Sequence, residues 1–267
     1  MTKTIRIFSF GGGVQSNAVL TLAAQGKVHY DAFVFANVGA DSENPATLDY
    51  VENWSKPFAK EHGINFVEVQ RHRRGEPLTL WEFAMEENST IPLPVYLGSG
   101  MPAHRICTVD WKIRTIDRHF KKQGYTHIIM GLGISTDEIH RARTTEMVHE
   151  KLSNVYKQKE YPLIDLGLSR ADCHNVIREA GLPVAPKSSC FFCPFHRPAT
   201  WSEMKQDQPE LFAKAVLLEN RLNEKREYLG RDRVFLHSSG VPLEQAVGSQ
   251  ANMFSEFDNC ESGYCMT

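Results

Sequence analysis

The sequence predicts an α/β chain, built on a parallel sheet with intervening helices and ending in a smaller cysteine-containing C-terminal region. Three observations predict it. Short apolar runs recur at residues 5–10, 32–37, 64–69 and 126–130, and each reads as a buried strand. Helix-like segments follow the first three of these runs and precede the fourth, with glycine or proline at the junctions. The chain is 267 residues long, near the upper limit for one core.

The elements follow in order. Residues 5–10 form the first strand, broken by Gly11-Gly12-Gly13. Residues 17–24 read as a helix closed by Gly26, and residues 32–37 as a second buried strand. Pro45 opens a helix running to about Glu61, with Gly63 beyond its end, and residues 64–69 form the third strand. Residues 71–105 look irregular, as a lid or substrate loop would. Residues 111–122 read as a helix, 126–130 as the fourth strand ending at Gly131, 161–165 as a short extended piece, and 170–180 as a helix ended by Gly181. Residues 201–226 are helical and charged, with a break before Pro209. This reading divides the chain into residues 1–166, a nucleotide-binding domain, and 167–267, a helical and cysteine-containing region.

Composition sets the outer limits. Apolar residues make up 42% of the chain, enough for a full core, and the formal net charge of −2 leaves room only for a local basic patch. No run approaches the ~18 apolar residues of a membrane span, and the N-terminus is too short and strand-like for a signal peptide. A cytoplasmic protein with no membrane partner is expected. In that reducing compartment the six cysteines, Cys107, Cys173, Cys190, Cys193, Cys260 and Cys265, point to metal or redox chemistry rather than structural disulfides.

The glycine triplet carries the first functional expectation. Glycines between a buried strand and a helix let backbone N–H groups approach phosphate oxygens, and the helix N-terminus adds a favourable dipole. Ser9, Gly11, Gly12, Gly13, Gln15 and Ser16 are the candidate ligands, with the Ser16 hydroxyl as a donor. The Gly-Lys-Ser/Thr ending of a Walker A loop is missing. A tight turn that needs glycine is the alternative.

This loop resembles the PP-loop of the adenine-nucleotide α-hydrolase superfamily, usually Ser-Gly-Gly-x-Asp-Ser. It matches at Gly12, Gly13 and Ser16, while Gly11 stands for the serine and Gln15 for the aspartate. The Gln15 variant, the segment from Asn37 to Thr47 and Tyr161-Pro162-Leu163-Ile164-Asp165 are similar to the phosphoadenylyl-sulfate reductase branch. The resemblance spans roughly residues 5–195 and implies a HUP-type (Rossmann-like) domain binding ATP with Mg²⁺. Asp41, Gly131 and Asp137, at or beside predicted strand ends, join the candidate nucleotide and metal contacts. Glu43, Glu138, Arg114, Arg141 and Arg143 are further polar candidates, each equally readable as a loop or helix charge.

The cysteines carry the second expectation. Cys190-Phe191-Phe192-Cys193 has the spacing at which two thiolates reach one metal. With Cys107 the pair is similar to the [4Fe–4S] site of iron–sulfur PP-loop thiolating enzymes. Zinc, with His196 as a fourth ligand, and a set of inert buried thiols are the alternatives. Lys112, in a Cys107–Lys112 stretch resembling one in the reductase branch, and the tail thiols Cys260 and Cys265 are candidate catalytic groups. Cys173 reads as a small packing residue as readily as a functional one.

The resemblance implies ATP-dependent sulfur transfer, adenylation then thiolation, on a nucleic acid or nucleotide, with a sulfur-donor protein as a possible partner. Sulfonucleotide reduction and a non-catalytic nucleotide-binding subunit of a nucleic-acid modification or defence complex are the alternatives. The sequence leaves the oligomeric state open.

Overall fold

The structure, a computed structural model, describes residues 3–88, 90–103, 105–142 and 156–247. Five parallel strands form the central sheet: β1 (Thr4–Phe10), β2 (Ala32–Asn37), β3 (Phe66–Gln70), β4 (His127–Leu132) and β5 (Tyr156–Glu160). Their spatial order is β3-β2-β1-β4-β5, a Rossmann-like arrangement. The order reverses between β1 and β4, so the crevice beyond the C-terminal ends of those two strands is where such sheets bind ligands.

Alternation along β1 sorts the core into two layers. Phe8 and Phe10 face α1 (Val14–Ala24) and the helical run α2 (Pro45–Tyr50), a π turn (Val51–Ser55) and α3 (Lys56–Glu61). Ile5 and Ile7 face the opposite way, toward Ile116 and Phe120. A third cluster gathers Val38, α4 (Leu80–Met85), Trp111, Phe191, Phe192 and the later helices around Trp201 and Leu218. Val38 directly follows β2, and the Leu80 N–H donates to its carbonyl at 2.8 Å. That third cluster therefore sits against the strand ends that border the crevice.

Five sequence expectations change. The helix predicted from Trp111 begins earlier, as a π-helical segment (Cys107–Ile113) continued by α5 (Arg114–Lys122). The fourth strand extends past Gly131 to Leu132. The fifth strand has no counterpart in the sequence reading, because Tyr156-Lys157-Gln158-Lys159-Glu160 has no apolar alternation. It is an edge strand, where charged side chains are common. Residues 161–165, expected to be extended, contain α6 (Pro162–Asp165), with Pro162 at its first turn. The stretch that looks irregular in sequence also contains α4, opened by a capping box between Thr79 and Glu82. Beyond α6, α7 (Arg170–Glu179) packs Cys173 and Ile177 into the core shared with α1. Among the described residues no helix is long and apolar enough to cross a membrane.

Candidate functional site

The glycine loop is held from inside. The Gly11 N–H donates to Ser16 Oγ at 3.0 Å, closing the turn. Buried Asn17 donates through Nδ2 to the carbonyls of Gly12 (3.2 Å) and Gly13 (3.0 Å). Its own Oδ1 accepts from Ser55 Oγ at 2.7 Å. Pinning two carbonyls toward the core leaves the amide edge of the loop for the crevice. The π turn matters here, since it presents both Ser55 and Val51 to the loop.

Two glycines are required by shape. Gly12 has φ +76°, and a β-carbon on it would stand 2.8 Å from the Thr47 methyl. Gly13 is the N-cap of α1 in extended conformation, and a β-carbon there would stand 2.7 Å from Ser188 Oγ. The first turn of α1 thus begins without a capping side chain from its own N-cap residue. Across the crevice, a β-carbon on Gly133 would stand 3.4 Å from that of Gln15, so the loops after β1 and β4 meet there. Two buried hydroxyls at the rim, Thr47 Oγ1 and Ser135 Oγ, have no hydrogen-bond partner among the described residues. A shape-fixed backbone cradle bordered by unsatisfied hydroxyls fits a phosphate-bearing ligand.

The other predicted contacts divide. Ser9 lies half-buried in β1 between Val34 and Leu132. Gly131 is inside β4, not in a loop, and the space a side chain would take is filled by the Tyr30 ring. Asp41 is held by two hydroxyls, Ser42 Oγ at 2.9 Å and Thr79 Oγ1 at 2.8 Å, so it latches the loop after β2 to α4. Asp137 accepts from the Arg170 N–H at 3.0 Å and caps α7. Asp41 and Asp137, expected to contact Mg²⁺ or the ribose, thus also accept hydrogen bonds that tie neighbouring segments together. Glu138 and Arg141 form a buried ion pair. Arg143, Cys260 and Cys265 lie outside the described residues.

The cysteine turn docks directly on the loop after β2. The Asn44 N–H donates to the Ser189 carbonyl at 3.0 Å, and the Phe191 N–H donates to the Ser42 carbonyl at 3.2 Å. Glu43 and Cys190 form an antiparallel bridge. Lys112 Nζ reaches Glu43 Oε1 at 3.4 Å, with Glu43 only 1% exposed. The segment before Cys107 touches the same turn, since the Arg105 guanidinium lies 4.5 Å from the Phe195 ring centre. Lys112, Glu43, Cys190 and the Gly13–Ser188 contact therefore form one continuous patch. Cys107 and Cys190 are half-buried against the third cluster, whereas Cys193 is buried.

A metal fits this arrangement less well. The three thiols are soft donors of the right chemistry. Among the described residues, however, no three His, Cys, Asp or Glu side chains are gathered as a metal site requires. His196, the expected zinc ligand, is otherwise employed. Its Nε2 lies 3.0 Å from the carbonyls of both Cys190 and Phe191, so that nitrogen carries the proton and donates. Burial first, and the Lys187 charge second, push its pKa down to about 4. The ring is a neutral clamp on the cysteine turn. Cys173 is also settled as a packing residue, since burial and then Asp137 push its thiol up to about 12.

Sequence reasoning missed Asn17, Ser188 and the clamp role of His196. The contacts of Ser188, and that of Asn17 with Ser55, come from segments distant in the chain, so no local pattern marks them.

No protein-family model matches the chain, and no curated protein matches it. Among solved structures it is similar to the U34-tRNA thiolase NcsA from Methanococcus maripaludis with its [4Fe–4S] cluster. The identity is 15% and the TM-score 0.44, over 83% of this chain and 72% of that one.

Proposed function

We propose that the chain is a nucleotide-dependent sulfur transferase, binding ATP on the Gly11–Ser16 loop and presenting sulfur from the Cys190–Cys193 turn. One observation carries the reading. The cysteine turn is hydrogen-bonded to the loop after β2 and seated on the glycine loop through Ser188, so thiol and phosphate chemistry share one crevice. The motif resemblance and the unsatisfied hydroxyls at the rim support the nucleotide half.

The chemistry follows from the groups present. Amides of the glycine loop and of the first turn of α1 hold phosphate oxygens, with the helix dipole favouring their charge. Lys112, kept beside the cysteine turn by Glu43, offsets negative charge on the nucleotide or substrate. A substrate oxygen attacks the α-phosphorus and pyrophosphate leaves. A persulfide on Cys190, loaded by a sulfur-donor protein, attacks the activated carbon, and AMP departs with the oxygen. The Cys193 thiolate then cleaves the sulfur–sulfur bond, releasing the thiolated product. A Cys190–Cys193 disulfide remains, which a dithiol reductant reopens. A [4Fe–4S] cluster would be held by Cys107, Cys190 and Cys193 and would bring soft sulfur chemistry to the crevice, but among the described residues those thiols are not gathered as such a centre requires.

The test is an assay for pyrophosphate and AMP with ATP and an RNA pool, using wild type and Cys190→Ser. Pyrophosphate from both proteins, with thiolated product only from wild type, is the expected result. Sulfite from phosphoadenylyl sulfate would support the reductase instead. ATP binding with no turnover under any of these conditions would make the chain a binding subunit.

A further inference from the structure

A chain with a formal charge of −2 concentrates cations on one side of one helix. In α5 the residues Thr115, Ile116, Asp117 and Phe120 are buried. Arg114, Arg118, Lys121 and Lys122 recur at three- and four-residue spacing on its outer side, where Arg118 and both lysines are exposed. Asp110, one turn before, matches Arg114 at 2.5 Å. The only acid within the helix, Asp117, is buried against Lys157 at 2.6 Å.

The stripe continues onto the corner after β3. Arg71 is stacked on a fixed aromatic plate, 4.6 Å from the Trp111 ring centre and 5.6 Å from that of Phe83. Those two rings meet edge-on at 5.6 Å. Burial lowers the Arg71 pKa, Asp110 opposes that shift, and the charges of Arg118, Arg73 and Arg114 add to it. Arg73 is paired with Glu86. After these pairings Arg71, Arg118, Lys121 and Lys122 remain in surplus among the described residues. Gathering like charges is unfavourable in the protein alone and becomes favourable when a polyanion lies across them.

We propose that this stripe, from Arg71 along the outer side of α5, is a binding track for the sugar–phosphate backbone of a nucleic acid. It deepens the sulfur-transfer reading and rests on it for biological purpose, though not for binding. Planar guanidiniums suit bidentate phosphate contact, and the aromatic stack holds Arg71 in place at little further entropic cost. The track also leads to the crevice: Trp111, under Arg71, precedes Lys112, which contacts Glu43 beside Cys190. No large exposed hydrophobic residue lies on α5 or at residues 71–77, so an inserting membrane surface has no wedge here.

The test is fluorescence anisotropy with a labelled 20-nucleotide single-stranded RNA, without ATP, over a salt series. The Arg118→Glu/Lys122→Glu variant changes two exposed groups and is compared with Lys27→Glu/Lys214→Glu, an equal charge change elsewhere. Expected is a tenfold or greater affinity loss for the first pair only. Its log–log salt slope should also flatten by about 0.7 for each phosphate that the variant no longer neutralises. Arg71→Leu, which keeps the packing, should likewise weaken binding. Equal loss from both charge pairs, or no RNA binding by wild type, overturns the track. So does charge-dependent binding to phosphatidylserine vesicles with no dependence for RNA. Pyrophosphate release is read separately, so failed turnover with intact RNA binding sinks the activity and not the surface.

Discussion

The hydroxyl of Ser188 occupies the place a side chain on Gly13 would need, 2.7 Å from the position of its β-carbon. This contact joins the phosphate-type loop to the segment that delivers Cys190. It makes the glycine a requirement of the cysteine turn as much as of any ligand. Gly12 differs, because its φ of +76° is strained for any side chain whatever surrounds it.

Gly13→Ala should therefore destabilise the fold by about 1–3 kcal/mol and weaken ATP binding, and Ser188→Ala should restore much of both. The Gly13 backbone is extended, so alanine itself is tolerated there. Gly12→Ala should lose binding with no rescue from Ser188→Ala. Urea unfolding and ATP titration of the two single variants and the double variant provide the check. Additive losses in the Gly13–Ser188 cycle would show that the contact does not couple the segments.

Asn17→Asp should be more harmful than its size suggests. The substitution puts an oxygen opposite the carbonyls of Gly12 and Gly13, at a site 1% exposed, and replaces two hydrogen bonds with repulsion. A stability loss of about 2–4 kcal/mol is expected, with at least tenfold weaker ATP binding in whatever protein folds. A variant with wild-type stability and affinity would remove Asn17 from the loop's support.

The parallel sheet is legible in the sequence because four of its five strands, one of them the edge strand β3, carry apolar runs punctuated by glycine. The fifth strand is not, because an edge strand of lysines, glutamine and glutamate carries no period-two signal. The site is legible in part. The glycine triplet and the C-x-x-C spacing are local patterns, and the structure brings their segments together. Asp41 and Asp137 draw attention as acids near strand ends, yet their partners Thr79 and Arg170 lie 38 and 33 residues away. Sequence proximity to a strand end does not reveal hydrogen-bond partners that distant in the chain.

His196 gives a pH dependence with a definite sign. Its pKa falls from 6.5 unfolded to about 4 folded, chiefly through burial. The neutral clamp is fully effective above pH 6.5. Below it the unfolded chain binds the proton first, so stability is lost as pH falls toward about 4, by up to about 3 kcal/mol. His196→Gln, which does not titrate, should be less stable at neutral pH but lose less between pH 6.5 and 4. Urea midpoints at several pH values measure this, and parallel curves for the two proteins would contradict it.

The cysteines should differ sharply in reactivity, and the pattern decides whether they form a metal site. Cys173 is fully buried, with a thiol pushed up to about 12, so it should resist iodoacetamide in the native protein. Half-buried Cys190 and Cys107 should react at least about 100-fold faster at pH 8, with Cys193 intermediate. Mass spectrometry of the labelled peptides over time resolves the order. The same measurement after anaerobic reconstitution with iron and sulfide, or with zinc, tests for a shared centre. Joint protection of Cys107, Cys190 and Cys193, abolished at both remaining thiols by Cys193→Ser, requires the three thiols to come together on metal binding. Protection of Cys190 and Cys193 while Cys107 keeps reacting would restrict the centre to the C-x-x-C turn. Unchanged labelling at all three positions would leave the pair as a thiol couple, as the persulfide route requires.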